Sequence, residues 1–169
     1  MNVIAPMPGW RLAAQVDLPA LPADWRDALA RRLGQRPRRI GVWAELALYG
    51  ACRCLDECGE PVLPPAARVR VWSLSGPRSA TQAGIGQVRA GALPMPFHFM
   101  QSQPALMLAA LGQALGWRGD AGFVLGRDPQ ALLRLALAGA APEGLLFGRV
   151  EEEEDGGRLR TAWQRWVAE

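Results

Sequence analysis

The stretch Trp117–Gly148, WRGDAGFVLGRDPQALLRLALAGAAPEGLLFG, decides how this chain is read. A helix closes over Gly116 to Gly119, and the short apolar run Phe123-Val124-Leu125 follows as a strand. The turn Gly126-Arg127-Asp128-Pro129-Gln130 then opens a new helix. Asp128 is an N-cap residue and Pro129 stands at the first helical position, where its missing N–H costs nothing. That helix ends at Gly139, and Leu145-Leu146-Phe147 gives a second apolar strand.

Downstream, Leu145 to Glu153 and Arg158 to Val167 alternate on either side of Asp155-Gly156-Gly157. This pattern predicts a terminal β-hairpin over 145–169, with a helix from Arg158 as the competing reading. In the hairpin, Thr161, Trp163, Arg165 and Val167 face one way, and Ala162, Gln164 and Trp166 the other.

Upstream, Gln101 to Leu115 is apolar nearly all round, the mark of a buried helix. Trp10 to Val16 reads as a first strand. Residues 18–38 form a linker and a short helix, Trp25 to Leu33, capped by Asp24 and stopped by Gly34. Arg38 to Glu57 repeats apolar residues at helical spacing (Ile40, Trp43, Ala47, Leu48, Ala51, Leu55) until Gly59. Pro61 to Ala67 is a loop. Arg68 to Leu74 alternates as a strand and breaks at Ser75-Gly76-Pro77. Ser79 to Ala90 is helical, so Gly84-Ile85-Gly86 lies inside a helix and not at the strand–helix junction a dinucleotide fingerprint needs. Ala92 to His98 is a proline-interrupted loop.

At 169 residues, half of them hydrophobic, the chain is the size of one domain with a real core. No run of eighteen apolar residues spans a bilayer, and Met1 to Gly9, broken by Pro6 and Pro8, lacks the layout of a signal peptide. A cytoplasmic protein is the expectation.

Arginine supplies every basic side chain, and the net charge of +3 is unevenly distributed. Arg31, Arg32, Arg36, Arg38 and Arg39 cluster early, while Glu151 to Asp155 form an acidic block. The basic cluster suits a phosphate, such as that of a pantetheine arm, or a solvated surface. No aromatic interleaving or nucleic-acid module accompanies it, which argues against nucleic acid. Cys52, Cys54 and Cys58 fall in one helical stretch, with Cys54 and Cys58 on one face. His98 is the only outside ligand for them, short of a tetrahedral set, so no metal is expected. Buried small hydrophobes are the better reading.

The order of elements around the Asp128 turn resembles the N-terminal half of a β-ketoacyl synthase. Arg39–Gly59 is similar to the family's early helix, Val69–Gly76 to its strand running into a Gly-Ser loop, and Pro94–Gly116 to the loop and buried helix before the nucleophile. The likeness runs from Arg39 to Val150. It implies an α/β, thiolase-like half: three α/β/α layers around a five-stranded mixed sheet, the last strand antiparallel to the rest. In the family the strand-to-helix turn carries the nucleophilic cysteine; here Asp128 stands there, a degenerate nucleophile position. The C-terminal half that supplies the catalytic histidines is absent from this sequence. Gln130 is two residues out of register with the glutamine that chain-length factors carry at the nucleophile position.

The resemblance therefore implies a non-catalytic ketosynthase-like domain related to free-standing ones of aryl-polyene and polyketide clusters, with no cofactor. It acts as an accessory, chain-length-factor-like or scaffold partner, as a homodimer or a heterodimer with a full ketosynthase, with acyl carrier protein as a further partner. In the family the strand before the nucleophile pairs across the dimer, which makes Phe123, Val124 and Leu125 the candidate dimer strand. The competing reading is a small acyl-thioester-binding protein or enzyme with a pocket around Phe97, His98, Phe99 and Asp128.

Overall fold

A computed structural model describes residues 7–153 and 158–169. Met1 to Pro6 and the turn residues Asp155, Gly156 and Gly157 lie outside the described residues. The elements run β1 (Trp10–Leu18), α1 (Trp25–Leu33), α2 (Val42–Glu57), β2 (Arg68–Trp72), α3 (Arg78–Arg89), α4 (Pro96–Gln101), α5 (Pro104–Ala114), β3 (Ala121–Val124), α6 (Pro129–Leu137), β4 (Leu145–Glu152) and β5 (Leu159–Ala168).

The five strands form one sheet in the order β1-β5-β4-β2-β3. β2 is parallel to both β3 and β4, whereas β5 is antiparallel to β4 and to β1. Only β5 therefore runs against the others, as expected for the last strand of a thiolase-like half. The terminal segment is a strand: β4 and β5 pair from Leu145↔Trp166 to Glu152↔Leu159.

Alternation along each strand divides the core in two. Val16, Val69, Val71, Leu146, Val150 and Trp163 face α2, where they join Trp43, Leu46, Ala47 and Leu55, with α1 and α5 packed on α2. On the opposite face Trp72, Leu145, Phe147 and Trp166 meet Leu133, Ala136 and Leu137 of α6. Burying two such faces is the main stabilising contribution, at about 25 cal/mol per Å² of apolar surface removed from water.

Several local expectations shift. α2 begins at Val42, four residues after the predicted start, because Arg39 has φ 64° and Gly41 φ 82°, neither helical. Its end follows the sequence: Gly59 is left-handed, its N–H bonds the Asp56 carbonyl, and the Glu60 N–H bonds that of Leu55. Cys58 is thus the C-cap and lies outside the helix. Asp24 precedes α1 but caps nothing; its carboxylate pairs with Arg31 at 3.2 Å. Part of the predicted 92–98 loop belongs to α4, with Pro96 in its first turn. α5 is not buried all round: Met107 and Leu111 are enclosed, while Ala105 and Ala109 are exposed and Leu106 and Leu108 half-buried. β3 stops at Val124, leaving Leu125 beyond the strand and 72% exposed.

Candidate functional site

Asp128 sits in extended backbone between β3 and α6, as the N-cap. One carboxylate oxygen, Oδ1, accepts the N–H groups of Gln130 at 2.9 Å and Ala131 at 3.1 Å. These are donors that a helix start leaves without intrahelical partners. Through this oxygen the side chain fixes the backbone at the start of α6.

β3 leads into this turn as the edge of the sheet, hydrogen-bonded only to β2 through Val69↔Ala121 to Trp72↔Val124. Phe123 turns inward, its ring edge-on to Trp43 at 5.6 Å. Val124 packs on the α6 side. The outer rim of β3 has no strand beside it among the described residues. At its start, Asp120 binds Arg68 (2.8 Å) and Arg70 (2.7 Å). The Arg70 hydrogen bond holds the Asp120 carboxyl below its ordinary value.

The richest polar structure lies where β2 and β4 end, and sequence patterning missed it. Glu151 and Glu152, which the sequence placed in an acidic block at the end of a strand, are each only 4% exposed. The Glu151 carboxylate accepts Ser73 Oγ (2.9 Å), Leu74 N–H (2.9 Å), Ser75 N–H (2.9 Å) and Ser75 Oγ (2.7 Å), and it meets Arg149 Nε at 3.1 Å. Burial alone raises its pKa, but the hydrogen bonds from Ser75, Leu74 and Ser73 outweigh that and hold it below the ordinary carboxylate value. The Arg149 guanidinium also lies over Trp72, 4.8 Å from the ring centre. Glu151 thereby clasps the β2–α3 loop. The available signal was position: both carboxylates directly continue an apolar strand.

Glu152 faces the α2 side. Its Oε2 accepts the Ser79 N–H at the start of α3 (2.6 Å), and its backbone N–H donates to Ser75 Oγ (2.9 Å). Its Oε1 is buried without a hydrogen-bond partner among the described residues. Glu152 lines a cavity of about 260 Å³ together with Trp43, Ser79, Ala83, His98 and Gln101.

His98, on α4, lines that cavity and also an adjoining apolar groove of about 460 Å³ between α3 and α4. Its Nδ1 lies 3.3 Å from Gln87 Oε1, which already accepts the Met95 N–H at 2.8 Å. With that oxygen acting as acceptor, the proton belongs on Nδ1 and the neutral ring keeps Nε2 as an acceptor. Phe99 lines the same groove, and the Phe97 ring is 6.5 Å from the imidazole. Asp128 lines neither space, so the structure groups Phe97, His98 and Phe99 and leaves Asp128 apart.

The basic cluster divides by charge pairing. Arg31 binds Asp24, and Arg32 binds Asp56 at 2.7 Å. Arg36 and Arg38 line a groove of about 490 Å³ against α5, floored by Leu33, Ile40 and Leu48. Cys52 and Cys54 are buried, which pushes their thiols up to about 11 and about 12. No group of three or more His, Cys, Asp or Glu among the described residues is arranged to hold a metal. No helix among the described residues is long and apolar enough to cross a membrane.

No protein-family model and no curated protein matches the sequence. Solved structures do match the fold. One is the ketosynthase ApeO in complex with its chain length factor ApeC from Xenorhabdus doucetiae, at TM-score 0.63 and 14% identity, over 95% of this chain and 77% of the matched one. Another is the ishigamide ketosynthase/chain length factor, at TM-score 0.68 and 10% identity, over 94% of this chain and 58% of that one. The chain thus spans a little over half the length of this second match. At these identities the likeness establishes the architecture: the chain has a ketosynthase-like, thiolase-like α/β/α fold.

Proposed function

We propose that this chain is a non-catalytic, ketosynthase-like accessory subunit, of the chain-length-factor or scaffold kind, that pairs with a full ketosynthase in polyketide, aryl-polyene or fatty-acid-like biosynthesis. The observation that carries this reading is the turn after β3. At the place where the ketosynthase resemblance implies a nucleophile, the side chain is a carboxylate spent on two backbone N–H groups of its own helix. A group so engaged, with no histidine or cysteine bonded to it among the described residues, is poorly suited to attack a thioester.

Two further observations support pairing. β3 leaves one edge of the sheet open, an arrangement that favours strand addition by a partner. The matched solved structures are themselves ketosynthase and chain length factor assemblies.

Native mass spectrometry of the purified chain, alone and mixed with a full ketosynthase of the aryl-polyene type, tests the pairing. The expected species is a one-to-one complex, with a homodimer as the state of the isolated chain. Val124→Pro, checked for folding by circular dichroism, should dissociate both. An unchanged assembly mass in that variant overturns the β3 interface. Condensation of malonyl and acyl thioesters by the chain alone overturns the non-catalytic assignment. Acyl carrier protein is proposed to meet the complex through the ketosynthase.

A second reading, a small acyl-binding protein, is favoured by one observation: His98 stands at the meeting of two adjoining spaces, one polar and one apolar.

A further inference from the structure

We propose that the groove between the Arg36–Arg38 segment and α5 binds an anionic amphiphile, a molecule with an aliphatic body and a phosphate or carboxylate head. The inference is independent of pairing with a ketosynthase and of the spaces around His98.

The head is read from the arginines. Gly34 ends α1, and Arg36-Pro37-Arg38 crosses towards α2 without regular structure. Pro37 biases Arg36 to extended backbone, and side chains two apart on an extended chain point the same way. Both arginines accordingly line one groove, of about 490 Å³, against α5. Both are exposed, and neither has an ion-pair partner among the described residues, whereas Arg31 and Arg32 just before them are held by Asp24 and Asp56. Two unpaired guanidinium groups repel each other, and an anion between them relieves that repulsion. Their N–H forks match the oxygens of a carboxylate or a phosphate. The next residue, Arg39, has φ 64° and is the one left-handed non-glycine among the described residues. Strain of this kind gathers where a segment is held ready for a ligand.

The body is read from the floor. Leu33 and Ile40 are half-buried, Leu48 is enclosed, and Ala110 and Ala114 of α5 form the facing wall. A chain that displaces water from this aliphatic surface gains free energy with every methylene covered. The volume falls in the range of small-molecule sites. Charge above an apolar floor suits a molecule that carries both better than a bare anion or a cation.

The full-length chain is titrated by calorimetry in about 0.15 M salt, which screens distant charges. The probes are decyl phosphate, decanoate, decylamine and inorganic phosphate, each amphiphile below its micelle concentration. Decyl phosphate or decanoate should bind at one equivalent, the tighter of the two naming the head, and decylamine and inorganic phosphate about tenfold or more weakly. Shortening the tighter anion to a hexyl chain should cost about tenfold or more. Arg36→Gln combined with Arg38→Gln should weaken that anion about tenfold. Arg31→Gln combined with Arg32→Gln removes the same formal charge and should change its affinity less than about twofold. Binding of neither anion, equal binding of decylamine or inorganic phosphate, or indifference to chain length each overturns the proposal. So does an affinity unchanged by the Arg36 and Arg38 pair of substitutions, or weakened as much by the Arg31 and Arg32 pair. Should a variant fail to fold, the comparison of heads and chain lengths on the unaltered protein still decides. Failure here leaves the mass-spectrometric test of pairing untouched.

Discussion

Gly50 of α2 lies directly against Trp163 of β5: a Cβ on Gly50 would overlap the indole and the Thr161 hydroxyl. Trp163 is wholly enclosed, with its Nε1 donating to Thr161 Oγ1 at 2.8 Å, and Gly148 of β4 leaves room on its other side. Two glycines thus make the space for one tryptophan. Gly50→Ala and Gly148→Ala should each cost about 1–3 kcal/mol through overpacking, read as a lower urea midpoint. Trp163→Ala should cost about 3–5 kcal/mol by leaving a cavity. Near-neutral values for both glycine variants would show that the helix rides higher on the sheet.

Asp128→Ala should lower stability by about 1 kcal/mol, and Asp128→Asn should restore most of it, since the amide oxygen still accepts the Gln130 and Ala131 N–H groups. Chemical denaturation of the three proteins measures this. Equal losses in Ala and Asn would assign the carboxylate a task other than capping.

Much of this turn was legible in advance, because Asp-Pro before an apolar helix constrains the backbone locally. The β4–β5 hairpin was legible for the same reason: alternation fixes which side each residue faces. What could not be read depends on partners distant in sequence. Asp24 looks like a cap, yet Arg31, two turns along the same helical face, takes its carboxylate. Glu151 and Glu152 look only like the start of an acidic block until the Ser73–Ser75 loop, almost eighty residues earlier, supplies the donors. Composition made α5 seem buried, but only packing decides how much of an apolar helix is covered. The candidate site divided in the same way: neighbours Phe97, His98 and Phe99 stayed together, and Asp128 did not join them.

Glu151 should make stability depend on acidity. Its folded pKa lies below the ordinary 4.5, so its contribution is complete above that value and is lost as pH falls through the folded one. Glu151→Gln should cost about 2 kcal/mol at neutral pH, and the gap to the unaltered protein should narrow below pH 4.5. A gap constant down to acid unfolding would remove Glu151 as the cause.

Arg165 is buried with Glu60 as its counter-charge, Nε to Oε2 at 2.6 Å and the second guanidinium nitrogen to Oε1 at 3.2 Å. Glu60→Ala strands that charge and should cost about 3 kcal/mol by thermal or urea unfolding. A loss near zero would mean that the Trp166 carbonyl, which also accepts from Arg165, suffices.

Thiol chemistry should follow burial. Cys58 is half-exposed, whereas Cys52 and Cys54 combine burial with pKa values of about 11 and about 12. Iodoacetamide at neutral pH should modify Cys58 first and the other two only on unfolding, followed by mass spectrometry of peptides. Rapid labelling of Cys54 would reveal local opening of α2.

The reversed strand has a consequence for the order of assembly. β5 is inserted between β1 and β4, so among the described residues β1 finds its ladder partner 149 residues downstream, as at Gln15 and Gln164. Loop closure over such a span is slow, and β1 must wait until β5 has been made. Until then its apolar side chains have no sheet to join. During synthesis β1 stays unpaired until β5 has emerged, and that pairing completes the sheet.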